Sequence, residues 1–153
     1  MSFDVKKFLQ TKFEARTEEI PVPDMKDFFL DDAKPVWLVK GVTGQEYARA
    51  NEAVEKNNAI AAYLEGLISP NDKDKIQSMR GLVGLGEKVP NEIAKRIELL
   101  KMGSVDPIVS HELALKICTN FPIEFYDITN KISMLTGRGH VPGKLNASGV
   151  IQK

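Results

Sequence analysis

The residues best suited to nucleophilic or metal chemistry are one cysteine and two histidines. His111 precedes Cys118 by seven residues in a segment of helical pattern, so the two can share one helix face. A Cys–His nucleophile also needs direct contact and an orienting third group, which the sequence does not specify. Cys118 stands beside Ile117 on the apolar side of this segment, where cysteine is usually a small buried hydrophobe. We therefore predict no catalytic residue, and one cysteine with two histidines predicts no Cys/His zinc site.

A glycine-rich segment at residues 137–144 superficially suggests a phosphate-binding loop. That loop needs four residues between its glycines, followed by Lys and then Ser or Thr, between a strand and a helix. Here Gly139 and Gly143 enclose three residues, Leu145 follows Lys144, and a helical pattern precedes the segment. A helix end followed by a tail explains the glycines better, and we predict no bound cofactor.

Acidic clusters are a third candidate for chemistry. Pairs occur at residues 18–19 and 31–32, and alternating acids and lysines occupy residues 72–75. The last run lacks the third ligand, the central glycine and the terminal glutamate of a calcium loop. Solvated turns and favourable charge at a helix start explain these acids. No apolar cleft that would raise a carboxyl pKa is specified, so we predict that the protein is not an enzyme.

Composition narrows the class of protein further. The chain has 153 residues, of which 42% are hydrophobic and 27% charged, as in a single globular domain. Lys plus Arg and Asp plus Glu both total 21, so the formal net charge is zero. That balance argues against a protein whose main function is to bind nucleic acid or an anionic membrane. With no signal peptide and no run of roughly 18 apolar residues, we expect a cytoplasmic protein in a reducing compartment.

The elements that must position any site fall into three zones. Residues 17–42 predict a small antiparallel β element, with a proline-containing edge strand before the strand at residues 36–42. Two strands alone are marginal in water, so they must pack on helices or pair with another chain. Residues 43–137 carry helical patterns, and residues 138–153 are expected to form a flexible tail. The fold class is mainly α: about five helices, the β element and the tail, with residues 1–137 as one domain.

Caps and apolar stripes locate the helices. Thr43 and Glu46 have the spacing of a capping box and start a long, alanine-rich helix that should reach about Ile68. Its stripe consists of Tyr47, Ala50, Val54, Ala61, Leu64 and Ile68. A second helix is expected at residues 71–84. Small side chains allow close helix approach but contribute little buried area each, so the long helix needs neighbours.

Three further helices follow at short intervals. Pro90 suits a first helical position, and Gly103 is expected to end that helix as a left-handed cap, before a connector at residues 104–107. Ser110 should cap the next helix, and Pro122 should open the last one, which Gly137 ends. The stripe of the last helix is Phe125, Ile128, Ile132 and Leu135.

One alternative function is a small DNA-binding regulator that uses the helix pair at residues 71–102. The second helix of the pair carries Lys95, Arg96 and Lys101, but Glu92 and Glu98 interrupt them. A recognition helix would be expected to show a one-sided basic face for phosphate contacts.

Aromatic residues instead indicate a protein that binds other polypeptides. Trp37 lies in a short β element with an exposed edge, and three aromatic residues cluster near residue 124. The residues that we expect to contact partners are Trp37, Tyr47, Phe121, Phe125 and Tyr126. The same residues also fit a core. The β edge and the alanine-rich helix would additionally allow a homo-oligomer.

Three stretches of the chain resemble the tail assembly chaperones of long-tailed bacteriophages. The first covers residues 36–46 and 48–53, and the second runs from residues 96–100 into residues 103–107. The third covers residues 121–126 together with residues 135–139. The similarity spans roughly residues 35–143 in consistent order, and it consists of helix caps and stripes rather than a chemical signature.

The resemblance implies a small, mainly helical, non-enzymatic protein in the cytoplasm of the bacterial host. Such chaperones coat the aggregation-prone tape measure protein and help tail tube subunits polymerise around it, and they are absent from the finished virion. Many families of phage and prophage tail assembly proteins also make a longer product by ribosomal frameshifting near the end of the gene. The family supplies no fixed set of binding residues to transfer.

Overall fold

The computed structural model describes residues 2–67, 90–145 and 151–152, with side chains for residues 2–58 and 90–143. Its helices are α1 (Val5–Gln10), α2 (Gly44–Leu67), α3 (Asn91–Gly103), α4 (His111–Asn120) and α5 (Pro122–Gly137), with a 3₁₀ helix at Pro23–Phe28. Its strands are β1 (Phe13–Glu14), β2 (Thr17–Pro21), β3 (Val36–Lys40), β4 (Ser104–Asp106), β5 (Val141–Pro142), β6 (Lys144–Leu145) and β7 (Ile151–Gln152). The prediction of a mainly helical chain with a small antiparallel β element is confirmed. The helix expected at residues 71–84 lies outside the described residues.

The largest sheet has three antiparallel strands in the order β2-β3-β4. Strands β2 and β3 pair from Thr17 opposite Lys40 to Pro21 opposite Val36, so the predicted β element forms within the chain and β2 is its edge. The connector expected at residues 104–107 is wrong, because residues 104–106 form β4 on the other side of β3. Strand β3 is therefore the central strand, and its alternate side chains point into the core.

Helix α2 begins at the predicted capping box and packs on α3. The backbone N–H of Thr43 donates to Glu46 Oε1 at 3.0 Å, and that of Glu46 donates to Thr43 Oγ1 at 3.1 Å. Ala50 is fully buried, whereas Tyr47 and Val54 border it half-buried. Ala50 therefore belongs to the core, at a position of the predicted stripe. The side chains of the stripe beyond residue 58, and the helix end predicted near Ile68, lie outside the described side chains and residues.

The core lies between the sheet and helices α3, α4 and α5. All four residues of the predicted α5 stripe are buried. The cap at Ser110 is confirmed, since its hydroxyl accepts from the backbone N–H of Leu113 at 3.1 Å. Pro122 opens α5 as predicted. Pro90 sits one position earlier than expected, as the N-cap of α3.

The expected left-handed cap at Gly103 is also wrong. Gly103 is the last residue of α3, and the C-cap is Ser104 in an extended conformation. A Cβ atom at Gly103 would lie 2.6 Å from Ile132 Cγ2 of α5. Close packing of α3 on α5, rather than backbone conformation, requires glycine at this position.

The first residues of the predicted tail are joined to the segment before β2. Phe13 pairs with Pro142, and the backbone N–H of Gly143 donates to the carbonyl oxygen of Lys12 at 2.8 Å. The Arg16 guanidinium Nε donates to the carbonyl oxygen of Gly139 at 3.0 Å. The first residues of the tail that we expected to be flexible are therefore hydrogen-bonded to the segment before β2. Residues 146–150 and 153 lie outside the described residues.

Candidate protein-binding surface

Two exposed apolar surfaces stand out on the described residues, and each is built around phenylalanine side chains. The first, which we call the aromatic patch, consists of the exposed side chains of Phe28, Leu30 and Ile123 and the half-buried ring of Phe121. The second, which we call the aromatic arm, is residues 2–13, with the exposed apolar side chains Phe3, Val5, Phe8, Leu9 and Phe13. Clusters of exposed apolar side chains on a folded protein commonly mark an interaction site.

The aromatic patch joins the 3₁₀ helix to the start of α5. The rings of Phe28 and Phe121 meet edge to face, with centroids 6.1 Å apart. Phe121 lies at the junction of α4 and α5, where its backbone N–H donates to the carbonyl oxygen of Ile117 at 2.7 Å. Phe28 is 76% exposed although Met25, one turn earlier, is buried in the core. The 3₁₀ helix ends at Phe28, whose exposed ring contacts Phe121.

The loop that carries Phe28 is acidic. Residues 24–34 contain four aspartates and two lysines, all of them exposed, which gives this segment a net charge of −2. Glu124 adds a half-buried acidic residue in the first turn of α5. The aromatic patch is therefore an apolar surface with a negatively charged border, which keeps it hydrated at its edges.

The aromatic arm is a short exposed segment whose phenylalanine rings contact one another. The ring centroids of Phe3 and Phe8 are 5.4 Å apart, and those of Phe8 and Phe13 are 5.1 Å apart. Asp4 caps α1 by accepting from the backbone N–H of Lys7 at 3.0 Å. No residue of α1 is buried. Contacts among its own rings, rather than core packing, hold the described conformation of the arm.

Two of the five residues that we predicted to contact partners, Trp37 and Phe125, are buried. Trp37 is 3% exposed, and its indole Nε1–H donates to Ser104 Oγ at 2.9 Å. The prediction assumed an exposed edge at β3, but β4 covers that edge. Phe125 is fully buried in the α5 stripe. Both rings therefore serve the core.

The two predicted tyrosines are half-buried and engaged with cations of α3. The Arg96 guanidinium lies 4.3 Å from the centroid of the Tyr126 ring. The Lys95 ammonium lies 4.6 Å from that of Tyr47 and donates to its hydroxyl at 3.0 Å. Such cation–π contacts stabilise the packing of α3 against α2 and α5. Phe121, which is also half-buried, is the predicted residue that lies on the aromatic patch.

Sequence reasoning missed Phe28, Leu30 and the arm. The signal was present, since residues 1–42 hold five of the seven phenylalanines. These phenylalanines lie in segments without a sustained helical or alternating period. Without such a period, no helix or strand face directs these side chains towards the core.

The structure also places Cys118 and His111, the residues that we considered for nucleophilic or metal chemistry. Burial raises the pKa of the Cys118 thiol, which lowers the fraction of nucleophilic thiolate. His111 Nδ1 lies 3.9 Å from Glu98 Oε2 of α3. Across the described part of the chain, no group of three or more His, Cys, Asp or Glu side chains is placed to hold a metal ion. No helix in the described ranges has the length and apolar content that crossing a membrane requires.

No protein-family model, curated protein or solved structure matches this chain.

Proposed function

We propose that the protein is a non-enzymatic tail assembly chaperone of a long-tailed bacteriophage or prophage, acting in the cytoplasm of the bacterial host. It binds the tape measure protein and promotes polymerisation of tail tube subunits around it. The observation that carries the proposal is the aromatic patch, an exposed apolar surface with a charged border. The resemblance of residues 35–143 to this family supplies the identity of the clients.

The aromatic patch has the properties that a client with apolar helices requires. Phe28 and Phe121 offer ring faces and edges that accept many apolar side chains without a fixed geometry. The acidic border limits the contact area and keeps the free chaperone hydrated. A shallow site of this kind binds through several weak contacts, which allows release when tube subunits assemble.

Co-expression with the tape measure protein tests the proposal directly. We expect the wild-type chain to move most of the tape measure protein from the pellet to the supernatant. Phe28→Ser should remove most of this gain, because it deletes the most exposed ring of the aromatic patch. Met134→Ser is the matched control, since Met134 is also exposed but lies outside both surfaces.

The amount of soluble tape measure protein, measured at equal expression of both chains, decides the outcome. No gain with the wild-type chain would refute the proposed function. Equal losses with Phe28→Ser and Met134→Ser would refute the assignment to the aromatic patch.

The alternative of a DNA-binding regulator finds less support in the described part of its helix pair. Arg96 bonds to Glu92, Thr129 and Asn130, and Lys101 bonds to Glu98. These cations are engaged within the fold instead of forming a free basic face for phosphates. A gel mobility assay at low salt separates the two functions, because the chaperone should leave DNA unshifted.

A further inference from the structure

The aromatic arm and the aromatic patch carry opposite charge. Residues 2–13 contain three exposed lysines, Lys6, Lys7 and Lys12, against the single carboxylate of Asp4, a net charge of +2. The loop at residues 24–34 has a net charge of −2. The arm thus combines the exposed rings of Phe3, Phe8 and Phe13 with positive charge, and the patch combines the exposed ring of Phe28 with the complementary negative charge.

The two surfaces lie at opposite ends of α5. Phe121 of the aromatic patch is the N-cap of this helix, whereas Gly139, just beyond its C-terminus, accepts the hydrogen bond from Arg16. Pairing of Phe13 with Pro142 anchors the arm at that second end. Helix α5 has 16 residues and is therefore about 24 Å long at about 1.5 Å per residue.

Within one chain the arm is therefore not placed to cover the patch. The stack of Phe3 on Phe8 and Phe8 on Phe13 keeps its rings near the anchor. We propose that the aromatic arm of one copy docks on the aromatic patch of a second copy, with the arm lysines facing the aspartates of residues 24–34. Because the two surfaces differ, the contact is head-to-tail and propagates into a ring or a filament.

The size of the arm predicts a weak assembly. At about 200 Å² per aromatic side chain, the exposed 58% of Phe3, 49% of Phe8 and 40% of Phe13 amount to roughly 300 Å². Stable interfaces bury about 800 Å² per partner. Association therefore depends on protein concentration, and salt weakens it by screening the lysine–aspartate attraction. If the aromatic patch also binds the client, the client must displace the arm of the neighbouring copy.

Two complementary variants test the head-to-tail arrangement. Lys7→Glu with Phe8→Ser disables the arm, and Asp27→Lys with Phe28→Ser disables the patch. Light scattering coupled to size exclusion, over a wide concentration range, should show rising mass for the wild-type chain and the mass of a single chain for each variant. An equimolar mixture of the two variants should reach twice the chain mass and stop, since one intact arm and one intact patch remain.

Met134→Ser is the control and should associate like the wild-type chain. The proposal is overturned if the wild-type chain keeps the mass of one chain at all concentrations, including when it binds anionic vesicles or the client instead. An arm or patch variant that still associates also overturns it, because such association indicates a symmetric contact. A mixture of the two variants that gains no mass is the third contradicting outcome. The assay contains no client, so its failure leaves the chaperone function standing.

Discussion

At the scale of single residues, the packing of α3 on α5 depends on a glycine that has no side chain. Gly103 of α3 faces the fully buried side chain of Ile132 on α5. Ile132 is branched at Cβ and enclosed by core residues, so it has no free rotamer into which it can withdraw. Helices α3 and α5 can therefore pack this closely because residue 103 has no Cβ atom.

Gly103→Ala should therefore lower the free energy of unfolding by about 1–3 kcal/mol, the usual cost of overpacking a core. Denaturant unfolding followed by circular dichroism measures the change. Gly137→Ala is the matched control, because a Cβ at that helix end meets no atom within 4 Å. It should leave stability unchanged or raise it slightly through helix propensity. Equal effects of the two substitutions would contradict the packing explanation.

Cys118 supplies a prediction for pH dependence. Burial raises the pKa of its thiol, so at any pH below that value less thiolate is present than in a free thiol. In the folded protein, Cys118 should react with an aromatic disulfide reagent more slowly than glutathione does at mildly alkaline pH. The rate should rise as the pH increases, and denaturant should abolish the difference. A folded-state rate equal to that of glutathione would show that the thiol is not restrained.

At the scale of elements, a side-chain hydrogen bond joins β3 to β4 in addition to their backbone pairing. The indole N–H of Trp37 donates to Ser104 Oγ, and both residues are buried. Since β4 follows α3 directly, this bond also fixes the end of α3 against the sheet. A buried hydroxyl that loses its partner costs more than a pair that is removed together.

A double-mutant cycle should reveal this coupling. Trp37→Phe should lower the free energy of unfolding by about 2–4 kcal/mol, through a smaller ring and an unpaired Ser104 hydroxyl. Ser104→Ala alone should also destabilise, and the double variant should lose less than the two single changes added together. Denaturant unfolding of the four proteins measures the coupling. Strict additivity would mean that the hydrogen bond contributes nothing to stability.

At the scale of the whole molecule, the core and helix α1 of the aromatic arm are separable. The core lies in the sheet and in helices α3, α4 and α5, whereas α1 contributes no buried residue. A mutation in the arm can therefore change what the protein binds without changing how firmly it folds.

Phe8→Ser should accordingly leave the free energy of unfolding within about 0.5 kcal/mol of the wild-type value, as is usual for exposed positions. The measurement belongs at a protein concentration where the wild-type chain is monomeric, so that association adds no stability. Ile128→Ala, at a fully buried position of α5, is the contrasting control and should cost about 2–5 kcal/mol. A large loss with Phe8→Ser would place the arm in the core instead of on the surface.

The sequence by itself determined the features that depend on near neighbours. The Thr43–Glu46 box, the Ser110 cap and the buried stripe of α5 were predictable, because caps act over three residues and stripes repeat with the helix period. The pairing of β2 with β3 was predictable for the same reason, since both strands and their turn lie within residues 17–42.

Only the tertiary structure decided which aromatic side chains are buried and which are exposed. Trp37 is covered because Ser104, 67 positions away, brings a third strand to β3. Phe28 stays exposed beside Phe121, whereas Phe29, the next residue of the same segment, packs against the core. Burial depends on contacts between distant segments, and residue type and local period do not encode those contacts.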